Sequence, residues 1–204
     1  MQDAMLPLFP LQVVLLPHNE LPLHIFEDRY KEMIGTLLEQ GGEFGVVLAA
    51  EEGIVATGCT AVVAQVLKKY PDGRMDIVTV GQRRFRIQSL NQEKEYLRGA
   101  VEFFDDDDSA APLDLRRRAV RICEEMHPDG VDAEEPELSF RLAGQIQDLQ
   151  FRQEMLMMRS ETERLRKIVD FVPGYRQKME EAERMKELAP KNGHGRRLLP
   201  PENG

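Results

Sequence analysis

Four prolines among the first 22 residues, Pro7, Pro10, Pro17 and Pro22, constrain this chain before any other feature does. Each removes a backbone N–H and fixes φ, so no long helix can run from Met5 to Ile25, and the brief apolar runs between the prolines read as short extended pieces. The pattern then changes. Tyr30, Met33, Ile34, Leu37 and Leu38 recur at i, i+3, i+4, i+7 and i+8, which gathers five apolar side chains on one face of a helix ending at Gly41-Gly42. That stripe needs cover, so the face is expected to pack on a sheet.

From Phe44 to Phe104 the apolar runs are short, β-branched and separated by turn residues: FGVVLAA, TAVVAQVLKKY, RMDIVTV, FRIQSL and YLRGAVEFF. This spacing predicts a small antiparallel sheet or barrel. Pro71-Asp72-Gly73 has the chemistry of a tight hairpin loop, and Gly58 and Gly99 mark candidate bulges or corners. Asp105 to Asp108 with Ser109-Ala110-Ala111 reads as a charged, flexible joint rather than a metal loop, because adjacent aspartates on an extended chain point in alternating directions. Beyond Pro112 the pattern is helical. One helix is expected over Leu113–Met126, and a second opens at Pro136 and carries Leu138, Leu142, Ile146 and Leu149. A third is opened by the capping box Ser160-Glu161-Thr162-Glu163, and a last one is restarted by Pro173. The predicted class is α+β: a β-rich sheet or pseudo-barrel subdomain with one amphipathic helix over 1–108, a helical bundle subdomain over 109–189, and a disordered tail over 190–204.

Charge narrows the function classes. The net charge of -9 is concentrated in residues 1–108, which carry 10 Lys+Arg against 18 Asp+Glu. Neither half has the basic excess that phosphate contacts demand, which weighs against nucleic acid as a partner. No apolar window approaches the length of a bilayer span, and Gln2 and Asp3 stand where a signal peptide would be basic, so a cytoplasmic location is expected. Two cysteines, Cys59 and Cys123, give no disulfide framework and fit a reducing compartment.

The opening segment LPLFPLQVVLLPHNELPLHIFEDRYKEMI resembles that of Lon protease N-terminal domains, especially the short bacterial proteins that contain little else. The resemblance continues through FGVVL, TGCTAVVAQV and PDGRMDIVTVGQRRFRI in the family's order, covering Met5 to Phe104, with a weaker helical similarity through SETERLRKIVDF. It implies a PUA-like β-rich subdomain followed by helices, and a role in capturing unfolded or tagged protein segments. A separate ATPase or protease is a further implied partner. The sequence contains no GxxxxGK[ST] phosphate loop, and Ser89, Ser109, Ser139 and Ser160 lie in no context resembling the family's serine-lysine segment. The expectation is therefore a non-enzymatic protein-binding module without cofactor or metal. The alternative is an RNA-binding module, since PUA-like folds often bind RNA.

Few constellations compete with that reading. Cys123 and His127 stand one helical turn apart, but no further Cys or His accompanies them, so a buried cysteine and a helix-end histidine are expected. His18 and His24 flank the proline-broken segment, with His24 directed opposite to Leu23 and Ile25 by strand alternation. Glu27 is expected to pair with one of Arg29, Arg83, Arg84 or Arg86 and lock the first helix onto the sheet. Met155, Met157 and Met158, with Met179 and Met185 beyond, suit an adaptable binding surface and core filling alike. The expected peptide-binding residues are Leu21, Pro22, Leu23, Ile25 and Phe26, where prolines leave strand pairing incomplete, with Met155, Met157 and Met158 as a second surface.

Overall fold

A computed structural model of the chain describes residues 5–107, 110–127 and 130–188. Six strands form a mixed sheet: β1 (Leu6–Leu11), β2 (Glu20–Ile25), β3 (Phe44–Ala50), β4 (Gly53–Lys69), β5 (Met75–Asn91) and β6 (Arg98–Phe103). The order is β2-β5-β4-β3-β1-β6, and β6 pairs back onto β5 as well, so five strands close into a small barrel and β2 extends the first half of β5 beyond it. One pairing departs from the antiparallel expectation: β1 runs parallel to β3, because β2 and helix α1 (Asp28–Gln40) form a long crossover between them.

Two of the expected runs proved to be parts of one longer strand. RMDIVTV and FRIQSL join through Gly81 into β5, where a Cβ would stand 2.2 Å from the Leu16 carbonyl oxygen, so only glycine lets the chain pass without a break. The barrel interior is closed by the Phe85 ring lying over Gly45 and Gly58, whose added Cβ atoms would come within 2.6 and 2.7 Å of it. Gly58 is thus a site of close approach. The hairpin joining β4 and β5 forms as expected, with Gly73 at φ 84° donating its amide to the Tyr70 carbonyl at 3.0 Å. Helix α1 buries Tyr30, Met33 and Ile34, leaving Leu38 at its solvent margin.

The helical part consists of α2 (Leu113–Cys123), α3 (Leu138–Ala143), α4 (Leu149–Met157) and α5 (Glu161–Leu188). The helix expected from Pro136 to Leu149 is divided instead. Glu137 adopts a left-handed conformation (φ 47°) ahead of α3, and Gly144 ends it where the Asn19 side chain inserts; Asn19 Nδ2 donates to the Phe140 carbonyl at 3.1 Å. A new helix then starts at Asp148, whose carboxylate accepts from the Phe151 amide at 2.8 Å. Pro173 does not restart a helix; it lies inside α5. The stacked rings of Phe151, Phe171 and Tyr175 hold α5 on both sides of the proline, and Tyr175 Oη accepts from the Gln147 amide at 3.0 Å. Packing there outweighs the lost backbone bond. The Ser160 hydroxyl accepts from the Glu163 amide, as a cap should. The tail expected over 190–204 lies outside the described residues.

The acidic segment after β6 is no free joint, and this is the main correction to the sequence reading. Asp106 accepts from Arg84 Nη2 of β5 at 2.6 Å and from Arg164 of α5 at 2.7 and 2.5 Å. Both guanidiniums also donate to the Met158 carbonyl at the end of α4. Arg164, wholly buried, reaches on to Ser139 and Glu161, and Arg116 stands beside Glu161 while donating to the Ala133 and Glu135 carbonyls. Asp107 pairs with Arg159 nearer the surface. Burial pushes the Asp106 carboxyl up, but Arg164 and Arg84 together outweigh it and hold it below the ordinary carboxylate value. Its stabilisation is therefore present above the unfolded-state pKa and fades as pH falls through the lower folded one. Asp106→Ala should cost roughly 3–5 kcal/mol in urea unfolding at neutral pH, since it leaves the buried Arg84 without a carboxylate and Arg164 with Glu161 alone. Asp107→Ala, at a surface pair, should cost about 1 kcal/mol or less. Equal losses would show that Asp106 is not the anchor.

Candidate functional site

Strand β2 lies at the end of the sheet order, paired on one side with β5 from Glu20↔Val80 to Ile25↔Met75. Pro22 has no N–H, so it sits with its nitrogen turned from β5, and the Leu21 carbonyl faces β5, where Thr79 Oγ1 donates to it at 2.9 Å. Alternation does the rest. Leu21, Leu23 and Ile25 turn toward the core, and Glu20, Pro22 and His24 turn outward. On β5 the same period buries Met75, Ile77 and Thr79 and leaves Asp76, Val78 and Val80 half-exposed beside them. An outward face thus forms from Pro22, Val78 and Val80, with Phe26 projecting at its end and 59% exposed.

The polar side of this face is a short hydrogen-bonded array. His24 Nδ1 lies 2.5 Å from Asp76 Oδ1, and Tyr70 Oη donates to Asp76 Oδ2 at 2.8 Å. The His24 ring stacks with Phe26 at 5.9 Å and meets Tyr70 edge-on at 6.0 Å. Lys68 and Arg74 lie over the Tyr70 ring at 4.5 and 5.0 Å. The hydrogen bonds from His24 first, and Tyr70 second, hold the Asp76 carboxyl below its ordinary value. Two of the nearby cations are already engaged, Arg74 by Asp72 at 2.7 Å and Lys31 by Asp28 at 2.6 Å.

The residues expected to bind a partner are thus sorted by the fold. Phe26 and Pro22 are open, Leu21 and Leu23 partly so, and Ile25 is core. Of the methionines, Met157 is exposed, Met158 is partly buried with its carbonyl held by two arginines, and Met155 is wholly buried. The two sets are not brought together. Helix α4 sits at Thr57 of β4, through Gln153, whereas the residues of the β2 face lie across from Val62 to Lys68. Those positions are roughly 17 to 36 Å from Thr57 along the strand at about 3.3 Å per residue. Val78, Val80, Tyr70 and Asp76 were not singled out from the sequence, although period-2 alternation in RMDIVTV already sends Asp76, Val78 and Val80 to one side.

The remaining candidates are architectural. Glu27 pairs with Arg29 at 2.7 Å within the same helix turn and does not lock α1 to the sheet; Arg83 pairs instead with Glu43, and Arg84 with Asp106. Cys59 and Cys123 are buried, and burial pushes both thiols up to about 12. His127 Nε2 is 3.2 Å from the Leu142 carbonyl, and His18 Nε2 is 2.6 Å from Glu137. Among the described residues no group of three His, Cys, Asp or Glu is placed to hold a metal ion, and no helix is long and apolar enough to cross a membrane.

The family model described as the ATP-dependent protease La (LON) substrate-binding domain matches residues 5–189. Among solved structures, the chain is similar to a Lon N-terminal domain protein from Xanthomonas campestris, with a TM-score of 0.70 and 26% identity, covering 82% of this chain and 98% of that one. It also shares the fold of the N-terminal domain of Mycobacterium avium complex Lon protease, with a TM-score of 0.64, 16% identity, and coverage of 83% and 98%. A Lon protease from Parabacteroides distasonis is 28% identical over 110 residues, which make up 50% of this chain and 13% of that protease. The chain thus corresponds to a small part of that relative's length.

The array at the β2 face makes a direct prediction. In an NMR titration the Asp76 carboxyl should have its midpoint below that of an ordinary aspartate, and His24→Ala should move it upward. A midpoint unchanged by His24→Ala would show that the pairing does not persist in solution.

Proposed function

Since this chain belongs to the LON substrate-binding domain family, we propose that it binds exposed segments of other proteins and carries out no hydrolysis itself, passing what it binds to a separate ATPase or protease. The observation that carries the reading is the outward face of β2 and β5. Pro22, Val78 and Val80 face outward on paired strands, and Phe26, 59% exposed, extends that face past the His24–Asp76 pair, so the sheet offers apolar surface to a partner. A docked segment gains its affinity by covering Phe26. Backbone pairing contributes little there, because Pro22 interrupts the outer edge of β2. RNA is the poorer occupant, since Arg74 and Lys31 are neutralised by Asp72 and Asp28, and Asp76 lies at the centre of the face.

The test is capture of a permanently unfolded, fluorescently labelled polypeptide, followed by anisotropy. Phe26→Asp should weaken binding by about 1–2 kcal/mol while leaving the melting temperature within a few degrees. Met157→Asp should leave capture unchanged. Unaltered affinity in the folded Phe26→Asp variant, with loss in Met157→Asp, would move the site to α4. Tighter binding of single-stranded RNA than of polypeptide at 150 mM salt would overturn the reading altogether.

A further inference from the structure

Between α2 and the segment leading into α3 lies a cavity of about 390 Å³. That volume is at the lower end of the roughly 300–1,000 Å³ of small-ligand sites, so it suits one short body rather than a polypeptide. Val120, Val131 and Leu142 supply apolar wall. Arg117 and Arg121, one turn apart on α2, and Glu124 supply the charge. Neither arginine has an ion-pair partner among the described residues, in contrast to Arg116 on the other side of the same helix, which is committed to the Glu161 network. The floor is set by His127, itself buried, whose Nε2–H donates to the Leu142 carbonyl at 3.2 Å and so fixes the ring.

We propose that this cavity binds a monoanionic organic carboxylate with a short apolar body. Among the described lining residues, two guanidiniums against one carboxylate leave a single positive charge, which a carboxylate balances; a dianion such as phosphate would place its excess charge beside Glu124. The apolar wall then covers the ligand's hydrocarbon part. Two sources share this chemistry: a free carboxylic acid, and the terminal carboxylate of a polypeptide ending in an apolar residue. The site is separate from the β2 face, and its test does not depend on that face.

The experiment is an NMR titration of the full chain with hexanoate, with acetate, and with the tripeptide N-acetyl-Ala-Ala-Leu as free acid and as C-terminal amide. Hexanoate should give saturable shifts at His127, Val131 and Leu142, with acetate at least roughly tenfold weaker because it lacks the methylenes that the wall covers. Arg121→Gln should weaken hexanoate binding roughly tenfold, the loss expected for one charged hydrogen-bonding partner. Arg118→Gln, an exposed neighbour outside the cavity lining, should leave it unchanged. Both are solvent-facing, so thermal melts should overlay the parent. Binding of the peptide acid but not its amide supports the site and assigns it to chain ends; binding of hexanoate with neither peptide supports it and assigns it to free acids. Absence of saturable hexanoate shifts, or equal weakening by the Arg118 and Arg121 substitutions, overturns the proposal.

Discussion

The carboxylate of Asp106 is shared by two buried guanidiniums, and the rest of the molecule is arranged around that sharing. Arg84 comes from the middle of β5, Arg164 from the first turns of α5, and Asp106 from the segment that connects the two parts of the chain. Removing an arginine from water is costly unless its donors are all received, and here the Met158 carbonyl accepts from both. That carbonyl belongs to the residue capping α4, where the helix dipole is negative, so the cations satisfy the helix end as well as the acid. Barrel, connecting segment and two helices therefore meet at one point. None can shift without exposing a charge to apolar surroundings.

What this fixes is the register of β5, the strand from which both the barrel and the outer face are built. Arg84 anchors it, Phe85 on the next residue points into the barrel between Gly45 and Gly58, and the first half of the strand carries Asp76, Val78 and Val80 to the surface beside β2. A slip of one residue would turn Phe85 outward and bury Asp76. The buried core runs without interruption from Phe9 and Phe44 through Cys59 to Leu138 and Leu165, so the apolar packing crosses the same junction that the ion network holds. The cation–π contacts of Arg84 and Arg164 with Phe140, at 5.3 and 4.2 Å, join the two kinds of interaction directly.

Local periodicity made the first helix and the strand class legible, because in Tyr30, Met33 and Ile34, and in RMDIVTV, each residue's face is decided by neighbours a few positions away. The errors arose where distant residues decide. Four consecutive aspartates read as solvent-exposed until Arg84 and Arg164, 22 and 58 residues from Asp106, claim one of them. Pro173 reads as a boundary until Phe151 stacks on Phe171 and holds the helix across it. Gly144 carries no signal until Asn19, far earlier in the chain, occupies the space a side chain would need. The candidate site was half legible for the same reason. Phe26 and Pro22 could be picked out from composition and prolines, whereas Asp76 and Tyr70 join them only through the pairing of β2 with β5 and the hairpin after β4.

Pro22 serves two physical ends that bear on how such a face works. An edge strand with a full row of outward donors would recruit any extended chain, including another copy of this one, by backbone pairing that is indifferent to sequence. Proline at the centre of the outer edge removes a donor there and weakens that route. What remains is the side-chain surface of Pro22, Val78 and Val80, with Phe26 at its end beyond the hydrogen-bonded His24–Asp76 pair. On the proposed reading, such a surface would discriminate by apolar content and shape rather than by strand propensity, and would not favour polymerisation along its own sheet.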